Sequence, residues 1–495
     1  MFIVFSVTAR AATHYVVPTN AAAADPYTNW ATAGTSIIDV VNAAMTSSAS
    51  RQIWVTNGIY RLTNEILVTN AVTIQGVNGR DVTVINGNYP AVTNRCFTIN
   101  DSNAIVDGFM ITNGYLAGSN GGGIYLANGI VRNCLISGNI VSNNGTATNK
   151  GGGIYMSAGL ISNCMVIGNV VTSPATSSHN DGGGICMTGG ITHGCTVSYN
   201  RSRWGGGIAG YAYALIKNCT ISSNDASYGG GIYSFSLTTT NCIINGNIAA
   251  SYGGGLSVAY GTVDGCTIDA NRCGSGYAGG LILNNNSILR NSVIKRNISS
   301  SSFGGGGVVF SGGGRMYNCL IVGNMATNAL NYGGGGGVYI ETIKNNAGWI
   351  CSCTIVSNMT TKGAGGGGVF LYDTNNGNTV SNCVIYGNTA TNANCNDVCA
   401  TNMLANSNAF NYCCFSDPSL AFSGAGNTTN NPQFVDFSGG NYRLGAGSPC
   451  INTGSNQNWM TNAVDLDGRM RIRYGVVDMG AYETIYEGTI YRFGL

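Results

Sequence analysis

The sequence predicts an all-β solenoid: a right-handed parallel β-helix of about a dozen three-strand coils behind an N-terminal capping helix. Three observations carry this expectation. One short motif recurs ten times, glycine runs stand at a fixed place before it, and 75 glycines accompany only 8% charged residues. Such a composition suits neither a helical globule nor a disordered chain rich in charge and proline.

The motif is aligned on a cysteine at Cys134, Cys164, Cys195, Cys219, Cys242, Cys266, Cys319, Cys353 and Cys383, with Ser292 in the same slot. Two residues later stands a β-branched aliphatic in all ten copies (Ile136, Val166, Val197, Ile221, Ile244, Ile268, Ile294, Ile321, Ile355, Ile385), and five residues later an asparagine (Asn139, Asn169, Asn200, Asn224, Asn247, Asn271, Asn297, Asn324, Asn358, Asn388). Side chains alternate along a strand, so the thiol and the aliphatic face the same interior. The asparagine closes the strand in one of two ways: it adopts a left-handed backbone, or it bonds its neighbour in the next coil as an inward ladder. Glycines such as Gly205, Gly206 and Gly207 allow a sharp turn and close packing before the next strand. The repeat runs from about 23 to 34 residues, and its short end holds three short strands but not a strand, helix and return.

The ends need plugs, because an open β-helix exposes strand edges and an apolar interior. Residues 12–50 are expected to form the N-terminal cap, with Ile37, Ile38, Val41 and Ala44 at helical spacing behind a Ser36 or Thr35 N-cap. Repeats fill 51–390, and 391–495 form the C-terminal end. Residues 1–11, an apolar run closing on Ala9-Arg10-Ala11, have the A-x-A pattern of a secretory signal, and the chain is expected to start inside a longer one. The expected setting is therefore secreted or surface-exposed, without a membrane span.

Nine of the 18 cysteines share the inward row, where they are expected to be packed free thiols. A serine there would bury a hydroxyl without an assured partner, although Ser292 already occupies one slot. Disulfides are expected among Cys395, Cys399, Cys413, Cys414 and Cys450; a zinc site on the first four is the alternative, with no histidine near it.

GGGIY followed by NCxIxxN resembles the right-handed β-helix repeats of bacterial surface proteins of the pectin-lyase-like fold. It is similar to the GGA(I/L/V) repeats of polymorphic outer membrane proteins, without their FxxN companion. The opening HYVVPTN, SIIDVVNAA and IWVTNGIY resemble the start of such proteins. NPQFVDFSGGNYRLGAGSPCINTGSN, with DLDGRMRI and VDMGAYE, resembles the C-terminal region of choice-of-anchor Q domain proteins. The resemblance implies an adhesin-like solenoid located on the surface of a bacterium. Such proteins commonly continue into an anchoring tail; this chain stops at YRFGL, so truncation or free secretion is expected.

The same fold serves polysaccharide lyases and glycoside hydrolases, which makes them the competing class. The NTD, DD and GHG motifs that polygalacturonases carry are absent; the nearest match is Thr192-His193-Gly194. Lyase chemistry requires a cation for the uronate carboxylate and a base for its α-proton. The candidates by repeat position are Asp269 with Lys295 and Arg201 with Asp225, each pair in adjacent coils, and surface salt bridges are the alternative reading. Rings before the glycine turns (Trp204, Tyr228, Tyr252, Tyr277, Phe303, Tyr332) are expected inside by their parity with the strand. A second row, Tyr125, Tyr155, Tyr233, Tyr339 and Phe370, is expected to face out and to offer a binding surface for sugars or a cell-surface partner. The formal net charge of +2 gives no electrostatic case for nucleic acid, and the recurring glycines without GxxxxGK[ST] give none for a phosphate loop. Asp465, Asp467, Asp478 and Glu483 gather near the C-terminus, where they either hold Ca2+ or pair with Arg469, Arg471 and Arg473 to close the rod.

Overall fold

The computed structural model describes residues 12–46, 51–142, 149–172, 180–328, 334–341, 348–363, 365–372, 377–391, 395–401, 409–416 and 424–485; the signal-like residues 1–11 and Tyr332 lie outside these. The chain divides into two units, Met1–Ala250 with Gly255–Ser257, and Ser251–Gly254 with Val258–Leu495. Both are stretches of right-handed parallel β-helix.

One coil of the first unit shows the plan. The first face carries two strand segments, Ile208–Tyr211 and Leu215–Lys217; the second face carries Thr220–Ser222 and the third Asp225–Tyr228. Each lies parallel and in register on the coil before it, so like residues stack on like. Ile136, Val166, Val197, Ile221 and Ile244 form one such stack in the first unit, and Ile268, Ile294, Ile321, Ile355 and Ile385 another in the second, all fully buried.

The left-handed residues of each coil are not the motif asparagines. They stand one before the anchor and four after it, as at Asn163 (φ 52°) and Gly168 (φ 65°), or Asn218 (φ 55°) and Ser223 (φ 55°). These two corners turn the motif asparagine inward, where it builds the ladder. Asn169, for instance, donates from both its backbone N–H and its Nδ2 to Oδ1 of Asn200, at 2.9 and 3.0 Å, while Nδ2 also donates to the Ile136 carbonyl at 2.9 Å. The pattern repeats to Asn247 in the first unit. In the second unit it links Asn297, Asn324, Asn358 and Asn388 and ends on Asp397. A carboxylate suits this rung, because it accepts from Asn388 Nδ2 and from the Ser416 N–H.

The ladder explains the glycine triplets. Gly205 is left-handed (φ 63°); a Cβ on Gly206 would lie 2.5 Å from the Asp225 carbonyl oxygen, and one on Gly207 would lie 2.9 Å from Nδ2 of Asn224. The triplet therefore presses backbone against the ladder and against the next coil, where no side chain would fit.

The thiol row is buried as expected, but its polar atoms have partners. Cys219 Sγ donates to the Lys217 carbonyl (3.2 Å) and accepts from the Cys195 N–H (3.4 Å). Ser292 makes the same two bonds, to the Arg290 carbonyl at 2.6 Å and from the Cys266 N–H at 3.0 Å, which corrects the expectation that a hydroxyl there lacks a partner. Burial pushes the Cys164, Cys353, Cys383 and Cys413 thiols well above the ordinary value. Cys395 and Cys399 form a disulfide; Cys413, Cys414 and Cys450 are buried free thiols, and Cys413 continues the row. Among the described residues no cluster has the make-up of a metal site, so the zinc alternative finds no support.

The capping helix spans Ile37–Thr46, and Ser36 Oγ accepts from the Asp39 N–H at 3.3 Å. It buries Ile37, Val40, Val41 and Ala44; Ile38, expected inside, is half-buried and Val40 takes its place. The solenoid begins before it, since Ala12–Val16 pairs in parallel with Arg51–Val55. At the other end Phe434–Asp436 and Asn441–Leu444 form an antiparallel pair. The segment that follows lies along the flank of its own unit, where Met479, Ile451 and Leu444 cover Val384 and Cys414, and Tyr442 covers Leu320 and Val356. No helix among the described residues is long and apolar enough to cross a membrane.

Candidate functional site

In the first unit, Arg201 Nε and Asp225 Oδ2 meet at 3.3 Å, with both side chains more than half exposed. A pair so open to water contributes little and faces no hollow among those described. Tyr125 and Tyr155 stand half-buried side by side, with ring centroids 5.2 Å apart and Arg95 over Tyr125 at 5.3 Å. Trp204, expected inside, is outside: it lies flat on Tyr228 (3.9 Å, 11°) and against the edge of Tyr233 (4.7 Å). Counting alternation from Ile208 back to Trp204 crosses left-handed Gly205, which breaks the parity. The rings before the triplet and those after it thus meet over the glycine corner and spend their faces on one another. Beneath them Lys150 Nζ lies 3.5 Å from buried Asp181 and 4.6 Å from the centroid of the Tyr211 ring.

In the second unit, Asp269 is held by Lys295 at 3.7 Å and by Arg296 Nε at 2.9 Å. Its carboxylate is thus saturated. Tyr339 and Phe370, expected to face solvent, are buried; their planes are parallel with centroids 5.8 Å apart, inside a cluster with Ile282, Val309, Cys395 and Cys399. Tyr252, Tyr277 and Tyr372 pack against this cluster, and neither ring has a face exposed to a ligand.

The C-terminal carboxylates are likewise engaged. Asp467 takes Nε of Arg443 at 2.6 Å and Nη1 of Arg469 at 3.2 Å, which holds its carboxyl below the ordinary value. Asp465 accepts the N–H groups of Asp467, Arg469 and Glu483; Asp478 accepts those of Asn452 and Thr484. Glu483 pairs with fully buried Arg471 at 3.2 Å, yet burial outweighs that partner and pushes its carboxyl up to about 8. The network forms against the flank of the solenoid, where the Ala481 N–H donates to Thr354.

One surface open to a ligand in the second unit is one that sequence reasoning did not single out. On the outer side of the first face in the second unit, Arg315 and Trp349 are register neighbours, and Tyr317 is the outward residue two beyond Arg315. Trp459, from the segment that lies along the flank, packs against both rings, 4.7 Å from Tyr317 and 6.3 Å from Trp349; Tyr317 and Trp349 are 5.7 Å apart. The three rings are half-buried and form a ridge. On one side is a hollow of about 350 Å3 with Arg315, Asn286 and Thr379 around Trp349 and a floor of Gly314, Gly348 and Gly377. On the other is one of about 360 Å3, formed by Asp264, Arg290, Asn291 and Asn462 beside Tyr317 and Trp459. Arg290 Nε and Asn291 Nδ2 bind the two oxygens of Asp264 at 2.8 and 2.7 Å, and Arg290 Nη1 reaches the Tyr317 hydroxyl at 3.3 Å. The same clamp recurs in the first unit as Asp107 with Arg132 and Asn133, both at 2.8 Å, which marks it as a device of the coil corner. The available signal was a tryptophan four residues before an anchor, with an arginine in the same slot one coil earlier.

No protein-family model and no curated protein matches this chain. Among solved structures it is similar to the pectate lyase Pel9A (13% identity, 95% of this chain and 96% of that one, TM-score 0.28). It is also similar to the Dettilon tailspike protein gp208 (12%, 80% and 70%, TM-score 0.34). XylC in complex with xylose is a third (11%, 86% and 87%, TM-score 0.35). At these TM-scores the likenesses carry no argument; the β-helix rests on its own strand pairing, and it is to the class of parallel β-helix proteins that the chain is assigned.

Proposed function

We propose that this is a secreted or cell-surface bacterial protein that binds polysaccharide on the Trp349, Tyr317 and Trp459 ridge. One observation carries the reading: three half-buried rings with a polar hollow on either side. A sugar buries its C–H face against a ring while hydroxyls take hydrogen bonds from arginine, asparagine and aspartate, and the ridge supplies both. The glycine floor lets a ligand approach the backbone beside Trp349. The A-x-A segment supports export, and the stretch NPQFVDFSGGNYRLGAGSPCINTGSN onward is proposed as a choice-of-anchor Q-like region.

Lyase or hydrolase action is the alternative. It requires an acid and a base arranged on a bound sugar, and the carboxylate in the second hollow, Asp264, is already spent on its clamp. A glycan array on the purified protein, read together with assays for reducing ends and unsaturated products, tests both. Trp349→Ala is expected to weaken binding to the best glycan at least tenfold, a loss of about 1.4 kcal/mol. Unchanged binding by that variant would refute the site, and product release would favour the enzyme.

A further inference from the structure

The two hollows beside the ridge differ in charge, and that difference bears on the ligand; the argument rests on the polysaccharide reading above. In the first hollow Arg315 is exposed beside Trp349, and its polar neighbours Asn286 and Thr379 are neutral. Among the described residues Arg315 belongs to no ion pair. Among those residues no carboxylate takes its planar fork, which can hold an anionic group bidentately while the ring holds the sugar that carries it. In the second hollow Arg290 is neutralised by Asp264 at 2.8 Å, and the remaining polar side chains are Asn291 and Asn462. An anion placed there would meet the Asp264 carboxylate, so this hollow favours an uncharged sugar.

We infer that the ligand is a heteropolysaccharide carrying an anionic sugar beside a neutral one, with the carboxylate- or sulfate-bearing residue on Arg315 and Trp349 and the neutral residue on Tyr317, Trp459 and the Asp264–Arg290 pair. A homopolymer of uronic acid fits worse, because every second residue would present its carboxylate to Asp264.

The test is titration calorimetry at low and physiological salt with four oligosaccharide probes. They are an alternating uronate and N-acetylhexosamine chain, its sulfated counterpart, an uncharged N-acetylhexosamine chain and a homouronate. The alternating or the sulfated chain is expected to bind most tightly, and the pair separates carboxylate from sulfate as the group on Arg315. Arg315→Gln should weaken that best probe about five- to tenfold, reduce its salt dependence and weaken the uncharged chain distinctly less. Arg315 is exposed, so the variant should melt as the parent does.

Homouronate binding equal to or tighter than the mixed chain would overturn the inference while the polysaccharide reading stands. So would an Arg315→Gln protein that binds the mixed chains as the parent does. If no probe binds, or if Trp349→Ala leaves all binding intact, the polysaccharide reading itself falls and the inference with it.

Discussion

Replacing Asn200 by alanine should open the first unit locally. Its side chain is fully buried in the ladder, so no water replaces what is lost. The N–H and Nδ2 of Asn169 lose their acceptor (2.9 and 3.0 Å), and the Val166 carbonyl loses its donor at 2.9 Å. Asn224 Oδ1 keeps the Asn200 N–H at 3.0 Å and loses only the second bond. Asn169 Nδ2 keeps its bond to the Ile136 carbonyl, so two groups lose this partner outright at about 1–3 kcal/mol each and a third loses one of its two bonds, which, allowing for coupling, amounts to about 3–6 kcal/mol. A solenoid need not unfold as one unit, so native-state hydrogen exchange read residue by residue is the proper assay. Amides of the flanking coils should lose protection by about 10^2 to 10^4, while those of the capping helix change little. A loss under tenfold in the flanking coils would show that the ladder is not what holds neighbouring coils together.

Two further outcomes follow from the same bookkeeping of buried polar groups. Cys219→Ser should change stability by less than about 1 kcal/mol, because a hydroxyl repeats the bonds that Ser292 makes, whereas Cys219→Ala should cost about 1–3 kcal/mol; urea melts in which serine is as damaging as alanine would contradict this. The Glu483 carboxyl is raised by burial to about 8, so the folded protein holds a proton there that the unfolded chain releases near the ordinary glutamate value. That contribution is present in full at acid pH and lost as pH rises toward 8, by at most about 5 kcal/mol. Asp478, also raised by burial, acts in the same direction. The melting temperature should fall between pH 5 and 8, and Glu483→Gln should flatten that slope; a parent protein that grows more stable across the window would contradict the account.

Much of the solenoid was legible because its repeat is written in single residues: a thiol, an aliphatic and an asparagine at fixed offsets identify strand, interior and corner. What failed did so where alternation is interrupted. Parity counted across Gly205 put Trp204 inside, and packing against neighbours such as Ile282, Val309 and the Cys395–Cys399 pair buries Tyr339 and Phe370, which were expected to be exposed. The binding ridge was illegible for a related reason. Trp459 lies far along the chain from Tyr317 and Trp349, and only the return of the C-terminal segment along the flank brings the three together. The carboxylates near the C-terminus were visible as a group, but which arginine each one takes is set by that same docking, as with Arg443 on Asp467.

The central claim is that the ridge of Trp349, Tyr317 and Trp459 holds a sugar. A crystal structure of the protein with the tightest-binding oligosaccharide tests it most directly. The account predicts a sugar ring packed on Trp349 within hydrogen-bond reach of Arg315, and a second residue against Tyr317 and Trp459. An oligosaccharide found instead over the Tyr125 and Tyr155 rings, or anywhere that leaves Trp349 uncovered, would contradict it.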